Sequence, residues 1–224
     1  MFIKYILIDR IKGVRYMPKE TFFNLVNEKK ERVIEAAIDE FAQRPYHQAR
    51  ITAIADNASI AKGSFYQYFE DKKDLFKYII ELSVNKKLKY INLDMIKNKD
   101  KYSFFQLLRE VYLSGFRFAK RHPKLLAVAS KLANNKELYR EIFGEYKDKS
   151  SEFFLELLEQ GIVEGAIDSK IDPVFVAKML TNISYTLSDF IYEDGEIDLN
   201  NIDESMEIID KMLYFIENGL KKRD

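Results

Sequence analysis

Glycine and proline interrupt this chain so rarely that most of it must run as long, unbroken elements: eight Gly and four Pro stand in 224 residues. Between these breakers apolar side chains recur three and four apart, the period of one helix face. No segment alternates apolar and polar residues as a half-buried strand would. Lys, Glu, Leu, Ile and Ala dominate the long stretches and suit helices. The fold class that follows is all-α. Hydrophobic residues make up 47% and charged residues 32%, enough apolar surface for a sizeable core and enough charge for a solvated exterior.

End signals divide the chain. Phe22 to Gln43 reads as one helix, with Val33, Ile34, Ala37, Ile38 and Phe41 on one face and Pro45 as its stop. Two short helices fit between Arg50 and Phe69. Asp71 is placed to cap a long helix expected to reach about Lys97, striped by Leu75, Ile79, Leu82, Leu88, Ile91 and Met95. A helix from Lys101 to Arg121 ends at His122-Pro123, and Pro123 suits the first turn of the next, Lys124 to Asn134. Lys136 to Gln160 is closed by Gly161 and Gly165. Asp172-Pro173 opens a helix to Tyr192, and Asn200 to Asn218 ends at Gly219.

Residues 1–16 fit no repeat and are expected to be an extension upstream of a start at Met17, or a loosely attached arm. Their apolar opening lacks the long core and small-residue cleavage site of a signal peptide. No run of about 18 uncharged apolar residues offers a membrane span.

The absence of Cys removes disulfides, thiolate metal sites and Cys nucleophiles, and fits a reducing cytoplasm. His47 and His122 are the only imidazoles. There is no Gly-rich phosphate loop, no nucleophile–base pair and no carboxylate spacing suited to a metal. Glu156 and Glu159 read as ordinary helix surface. No enzyme, metal site or cofactor is expected. Formal net charge is +0, so nucleic-acid binding has to rest on a patch rather than on the total.

Residues 50 to 69 read Arg-Ile-Thr-Ala-Ile-Ala-Asp-Asn-Ala-Ser-Ile-Ala-Lys-Gly-Ser-Phe-Tyr-Gln-Tyr-Phe. Ile51, Ile54, Ala55 and Ala58 give a first short helix an apolar inner face. Ile60 falls in a tight turn, and Phe65 and Phe69 continue the core from a second helix. That is a helix-turn-helix, whose second helix enters the major groove. Lys62, Ser64, Tyr66, Gln67 and Tyr68 are donors with reach, and Gly63 permits close backbone approach. Lys72 and Lys73 stand at the next helix start, where cations and free N–H groups meet phosphate. From Arg44 to Lys77 there are six basic residues (Arg44, Arg50, Lys62, Lys72, Lys73, Lys77) and four acidic (Asp56, Glu70, Asp71, Asp74). The local excess is small.

The run from Ile60 to Phe69 with Lys72, Leu75 and Phe76, preceded by Ala36-Ala37, Phe41-Ala42 and Tyr46, resembles the DNA-binding domain of tetracycline-repressor-type (TetR-family) regulators. The resemblance covers about residues 28 to 78. It implies that Lys62, Gly63 and Ser64 approach the bases and that Tyr66, Tyr68 and Lys72 hold phosphates, with Gln67 between these roles. Pro45 and Ser59 stand where Gly is usual. Arg50 replaces the usual Ser or Thr cap, losing about 1 kcal/mol but placing a guanidinium at the phosphate edge. Arg50 and Thr52 join the expected DNA contacts.

The resemblance further implies a DNA-binding domain over residues 17–76, joined by a long helix to an effector-binding and dimerisation domain over 77–224, with a pocket among its middle helices. Tyr112, Phe116, Phe154 and Tyr185 are the expected pocket residues, being aromatic and on central helices. Wide stripes on the last two helices, represented by Val176, Leu180, Ile183, Leu187, Ile209, Leu213 and Ile216, call for a partner, and two copies would make a four-helix interface. The expected protein is a cytoplasmic, homodimeric repressor. It is released from a palindromic double-stranded DNA operator by a small apolar or aromatic effector. An all-helical protein-interaction module without DNA binding is the alternative.

Overall fold

Helices follow the three-four apolar period, and five of those described begin at a residue whose side chain caps them: Asp71, Asn92, Ser103, Asn135 and Asp172. The computed structural model describes residues 18–98, 101–133, 135–191 and 202–222. Its helices are α1 (Glu20–Phe23), α2 (Asn27–Gln43), α3 (Ile51–Asn57), α4 (Lys62–Tyr68), α5 (Lys72–Leu88), α6 (Leu93–Lys97), α7 (Phe104–Arg121), α8 (Pro123–Ala133), α9 (Lys136–Val163), α10 (Pro173–Ile191) and α11 (Ile202–Leu220). The only β pairing among the described residues is an isolated bridge, Ile167 with Lys221. No described helix is long and apolar enough to cross a membrane. The expected extension, residues 1–16, lies outside the described residues.

Two expected helices are each broken in two, and tertiary contacts explain both breaks. The segment from Phe22 to Gln43 is interrupted at Asn24–Val26, because Phe22 turns inward. Its ring lies 4.9 Å from Phe69 and 5.6 Å from Tyr78, centroid to centroid. Val26 then opens α2 in an extended conformation. The helix expected from Asp71 to Lys97 stops at Leu88. Buried Glu110 of α7 accepts the Asn92 N–H at 3.0 Å, and Arg117 donates to the Tyr90 carbonyl at 3.3 Å. These contacts draw residues 90–92 out of the helix, and the Asn92 side chain restarts it by capping Asp94 and Met95. Asp71 does cap α5, accepting from the Asp74 N–H at 2.8 Å.

Further along, Ser103 and Gln106 form a capping box, so α7 begins at Phe104 rather than Lys101. α9 passes through Gly161 and ends beyond it, with Gly165 at φ +75 supplying the left-handed turn. Gly161 serves packing instead: a Cβ there would lie 2.6 Å from Ile167 Cδ1 and 3.2 Å from Phe104 Cβ.

The apolar residues form two cores. The first joins Phe22, Phe41, Ile54, Phe65, Phe69, Leu75, Phe76 and Ile79 to Phe118, Leu125, Val128 and Leu132, and α8 packs on α2 and α5, which flank the helix-turn-helix. The second joins Phe104, Leu108 and Tyr112 of α7 to Phe154 and Leu158 of α9, Leu180 of α10 and Ile209, Leu213 and Ile216 of α11.

Candidate nucleic-acid interface

The helix-turn-helix is built around small residues at the crossing. Ala55 and Ala58 are fully buried under Phe65, and the turn between α3 and α4 is closed by Ala58 N–H to the Ile54 carbonyl and Ile60 N–H to the Ala55 carbonyl, each at 2.9 Å. Making that turn puts Ser59 at φ +53, a left-handed conformation that glycine adopts without cost.

Two apolar side chains, Phe65 and Tyr68, hold α4 to the core. The opposite edge presents Lys62, Gly63, Tyr66 and Gln67 to solvent, with Ser64 half-buried. Nothing lies within 4 Å of a Cβ built at Gly63, so internal packing does not require glycine there and the backbone is open to approach from outside. Arg50 and Thr52 at the start of α3 are exposed as well.

Two expected phosphate contacts have other work inside the protein. Tyr68 is 5% exposed and packs on Phe22, with the Lys29 ammonium 5.7 Å above its ring. Lys72 donates to the Ala49 carbonyl at 2.9 Å and the His47 carbonyl at 3.3 Å, with its ammonium 4.7 Å over the Tyr46 ring. Burial lowers its pKa, opposed by the charge of Glu40. An ammonium has three donors, so two such bonds leave one N–H for a phosphate. Lys73 pairs with Glu141 of α9 at 3.0 Å and Lys77 pairs with the same carboxylate at 2.9 Å. Those hydrogen bonds, Lys77 first, hold Glu141 below the usual carboxylate range.

Several supports escaped the motif. Buried Glu40 accepts the Arg50 backbone N–H at 2.9 Å and the Arg44 guanidinium at 3.4 Å, fixing the entry to α3 while Arg50 itself makes no side-chain cap. The segment before α1 closes the carbonyl end of the recognition helix. The Lys19 ammonium donates to the Tyr66 carbonyl at 3.0 Å, the Lys19 N–H to the Tyr68 carbonyl at 2.8 Å, and the Thr21 hydroxyl to the Gln67 carbonyl. Those carbonyls have no partner within α4. No local spacing signals a contact across more than forty residues.

In the body, Tyr112 and Phe154 share the second core, with Phe116 packed against it and the Tyr112 hydroxyl 3.2 Å from Ser184 Oγ. Burial raises the Tyr112 pKa. The side chains of Tyr185 and Leu187 lie outside the described residues. Of the residues expected to pair two copies, Leu180, Ile209, Leu213 and Ile216 are buried within the protomer's own core and Val176 and Ile183 are half-buried. The apolar face turned outward is offset from them. It carries Phe175 and Met179 on α10 and Tyr214 and Phe215 on α11, with Phe215 75% exposed.

The model of the tetR family of bacterial regulatory proteins matches residues 33–79. The fatty acid metabolism regulator protein of Bacillus subtilis is 27% identical over 184 residues, 78% of this chain and 90% of that protein. A TetR family transcriptional regulator of Chloroflexus aurantiacus has a solved structure with a TM-score of 0.70 and 29% identity, covering 92% of this chain and 100% of that one. The regulator FadR of Bacillus subtilis, solved in complex with stearoyl-CoA, shares the fold at a TM-score of 0.59 and 24% identity, over 82% and 97% of the two chains. These matches set aside the protein-interaction module. Motif, fold and likeness converge: residues 33–79 match the tetR family of bacterial regulatory proteins, and the chain, similar over most of its length to a TetR family transcriptional regulator, is a DNA-binding transcriptional regulator.

Proposed function

We propose that the chain is a homodimeric repressor that leaves a palindromic operator when an apolar ligand enters its body. One observation carries this reading: α4 buries Phe65 and Tyr68 and turns Lys62, Gly63, Tyr66 and Gln67 outward from a rigid head. Lys62, Gly63 and Ser64 approach the base edges. Arg50, Thr52, Tyr66, Gln67 and the remaining N–H of Lys72 hold the backbone. Tyr68 acts from behind by fixing the helix. The reading head spans residues 17–76 and the sensing and pairing part 77–224, with α5 and α8 as the physical links between them.

Pairing through the outward apolar face of α10 and α11 sets two copies of α4 about one DNA turn apart. The ligand class follows from the aromatic-lined second core and from the likeness to proteins of fatty acid regulation, one of them solved with stearoyl-CoA. Occupation of the body tilts α5, whose far end is gripped by Glu110 and Arg117, and a few ångström of change between the two α4 helices forfeits simultaneous contact with both half-sites. The protein works in the cytoplasm, where its operator lies. Selection of bound duplexes from a random pool tests this: a two-fold-symmetric site is the expected enrichment. Enrichment of asymmetric sequence, or none, contradicts it.

A further inference from the structure

The loop from α2 to α3 is folded over a buried carboxylate. Pro45 disfavours a helical Arg44, which stands extended at φ -120 and ψ 144 and ends α2. The Pro45 carbonyl then accepts the Gln48 N–H at 2.9 Å and the Ala49 N–H at 3.1 Å, so the chain turns tightly and Arg50 returns beside the end of α2. Glu40, 5% exposed, lies beneath that turn. Its Oε1 accepts the Arg50 N–H at 2.9 Å and pairs with Arg44 Nε at 3.4 Å. A single oxygen serves both, so the Arg44 guanidinium is fixed beside the start of α3. A carboxylate taken out of water needs such partners.

Lys72 reaches the same place from α5. Its ammonium donates to the carbonyls of His47 and Ala49, both in the loop that Glu40 underlies. Burial lowers the Lys72 pKa and the charge of Glu40 opposes it, so the two groups lie within electrostatic reach of each other. Arg44, Arg50 and Lys72 thus gather around one carboxylate, with Arg44 and Arg50 exposed. Pairing through Nε leaves both terminal nitrogens of Arg44 without a partner among the described residues, and its side chain is 45% exposed. Held by a carboxylate on one side and open on the other, such a planar fork suits the two free oxygens of a phosphodiester.

We infer that Arg44 is a further contact to the DNA backbone, aimed at a phosphate by Glu40, which acts as its positioning residue. This rests on the reading above that Arg50 and Lys72 lie along that backbone, and it extends the edge they form to the end of α2. It also gives the buried acid a use. A negative charge beside DNA is unfavourable by itself, but this one restrains a long, flexible side chain, so the phosphate meets a fork already oriented.

Affinity of the full chain for the two-fold-symmetric duplex recovered by selection, measured across about 50 to 200 mM salt, tests the inference. Arg44→Gln is expected to lower the log–log slope by about 2, one phosphate in each half-site, with sequence preference unchanged. Arg44→Lys keeps the charge and loses the fork, so its slope returns to that of wild type while its affinity stays below. Glu40→Gln keeps an oxygen for the Arg50 N–H but releases Arg44. It should bind about threefold more weakly, although a negative charge has been removed from the DNA side. Thermal unfolding of each variant is read alongside, because a purely structural Arg44 moves stability and leaves the slope alone. A slope unchanged in Arg44→Gln, a lost slope that Arg44→Lys does not restore, or a Glu40→Gln protein that binds as tightly as wild type or tighter overturns the inference. Arg50→Ala separates it from the reading beneath. If Arg50→Ala lowers the slope and Arg44→Gln does not, the inference fails and the interface stands; if neither does, the placement of this edge on DNA fails with it.

Discussion

Ser59 shows how a single backbone angle carries the reading head. At φ +53 it holds the turn that sets α4 against α3, in a region that costs a side-chain-bearing residue about 1–2 kcal/mol. Glycine escapes that strain but gives back about 0.5–1 kcal/mol through its freer unfolded chain. Ser59→Gly is therefore expected to raise stability slightly, by up to about 1 kcal/mol in thermal unfolding, with operator affinity unchanged. A loss of stability would mean that the serine side chain supports the turn in some other way. Lys72 makes a related point. A lysine at the start of α5 reads in sequence as a phosphate contact, but its ammonium already ties the carbonyls of His47 and Ala49 and lies over Tyr46.

Helix elements were legible where the three-four period was long and the cap local: Asp71 before α5, Pro123 opening α8, Pro173 opening α10 and Gly165 after α9 all act through neighbours in sequence. The recognition segment was legible for the same reason, since α3, turn and α4 lie within twenty residues. The breaks at Asn24–Val26 and at 89–92 were not, because each is imposed by a partner distant in sequence, Phe69 and Tyr78 in one case and Glu110 with Arg117 in the other. Which apolar residues of α10 and α11 face inward was equally hidden, because a wide stripe does not say which of its edges meets a neighbouring helix. Glu110 is where this can be tested. Its carboxylate bonds the Arg117 guanidinium at 2.8 and 3.2 Å as well as the Asn92 N–H. Glu110→Ala leaves the Asn92 N–H without its acceptor and Arg117 with only the Tyr90 carbonyl, and is expected to cost about 2 kcal/mol, less than a fully buried pair because Arg117 is partly solvated. An unfolding free energy within about 0.5 kcal/mol of wild type would show that Glu110 does not hold the break in place.

At the scale of the molecule, the proposed coupling of reading to sensing has two physical routes. α8 packs against α2 while the Glu141 carboxylate of α9 pairs with Lys73 and Lys77 of α5, two contacts through which the proposed tilt would reach the head. The outward face of Phe175, Met179, Tyr214 and Phe215 sets the pairing expectation. Phe215→Glu places a charge on that apolar face and is expected to shift the protein from dimer to monomer in sedimentation, lowering operator affinity by about 100-fold as one half-site is lost. A variant that remains dimeric would move the interface elsewhere. The most direct measurement of the central claim is affinity for the selected duplex across about 50 to 200 mM salt. Two protomers, each neutralising phosphates with Arg50 and Lys72, predict a log–log slope of about −4 from these residues alone. Lys62→Ala, at the base edges, is expected to relax sequence preference with the wild-type slope retained. A wild-type affinity indifferent to salt, or a Lys62→Ala protein identical to wild type in slope, affinity and preference, would contradict the assignment of α4 as the DNA-reading helix.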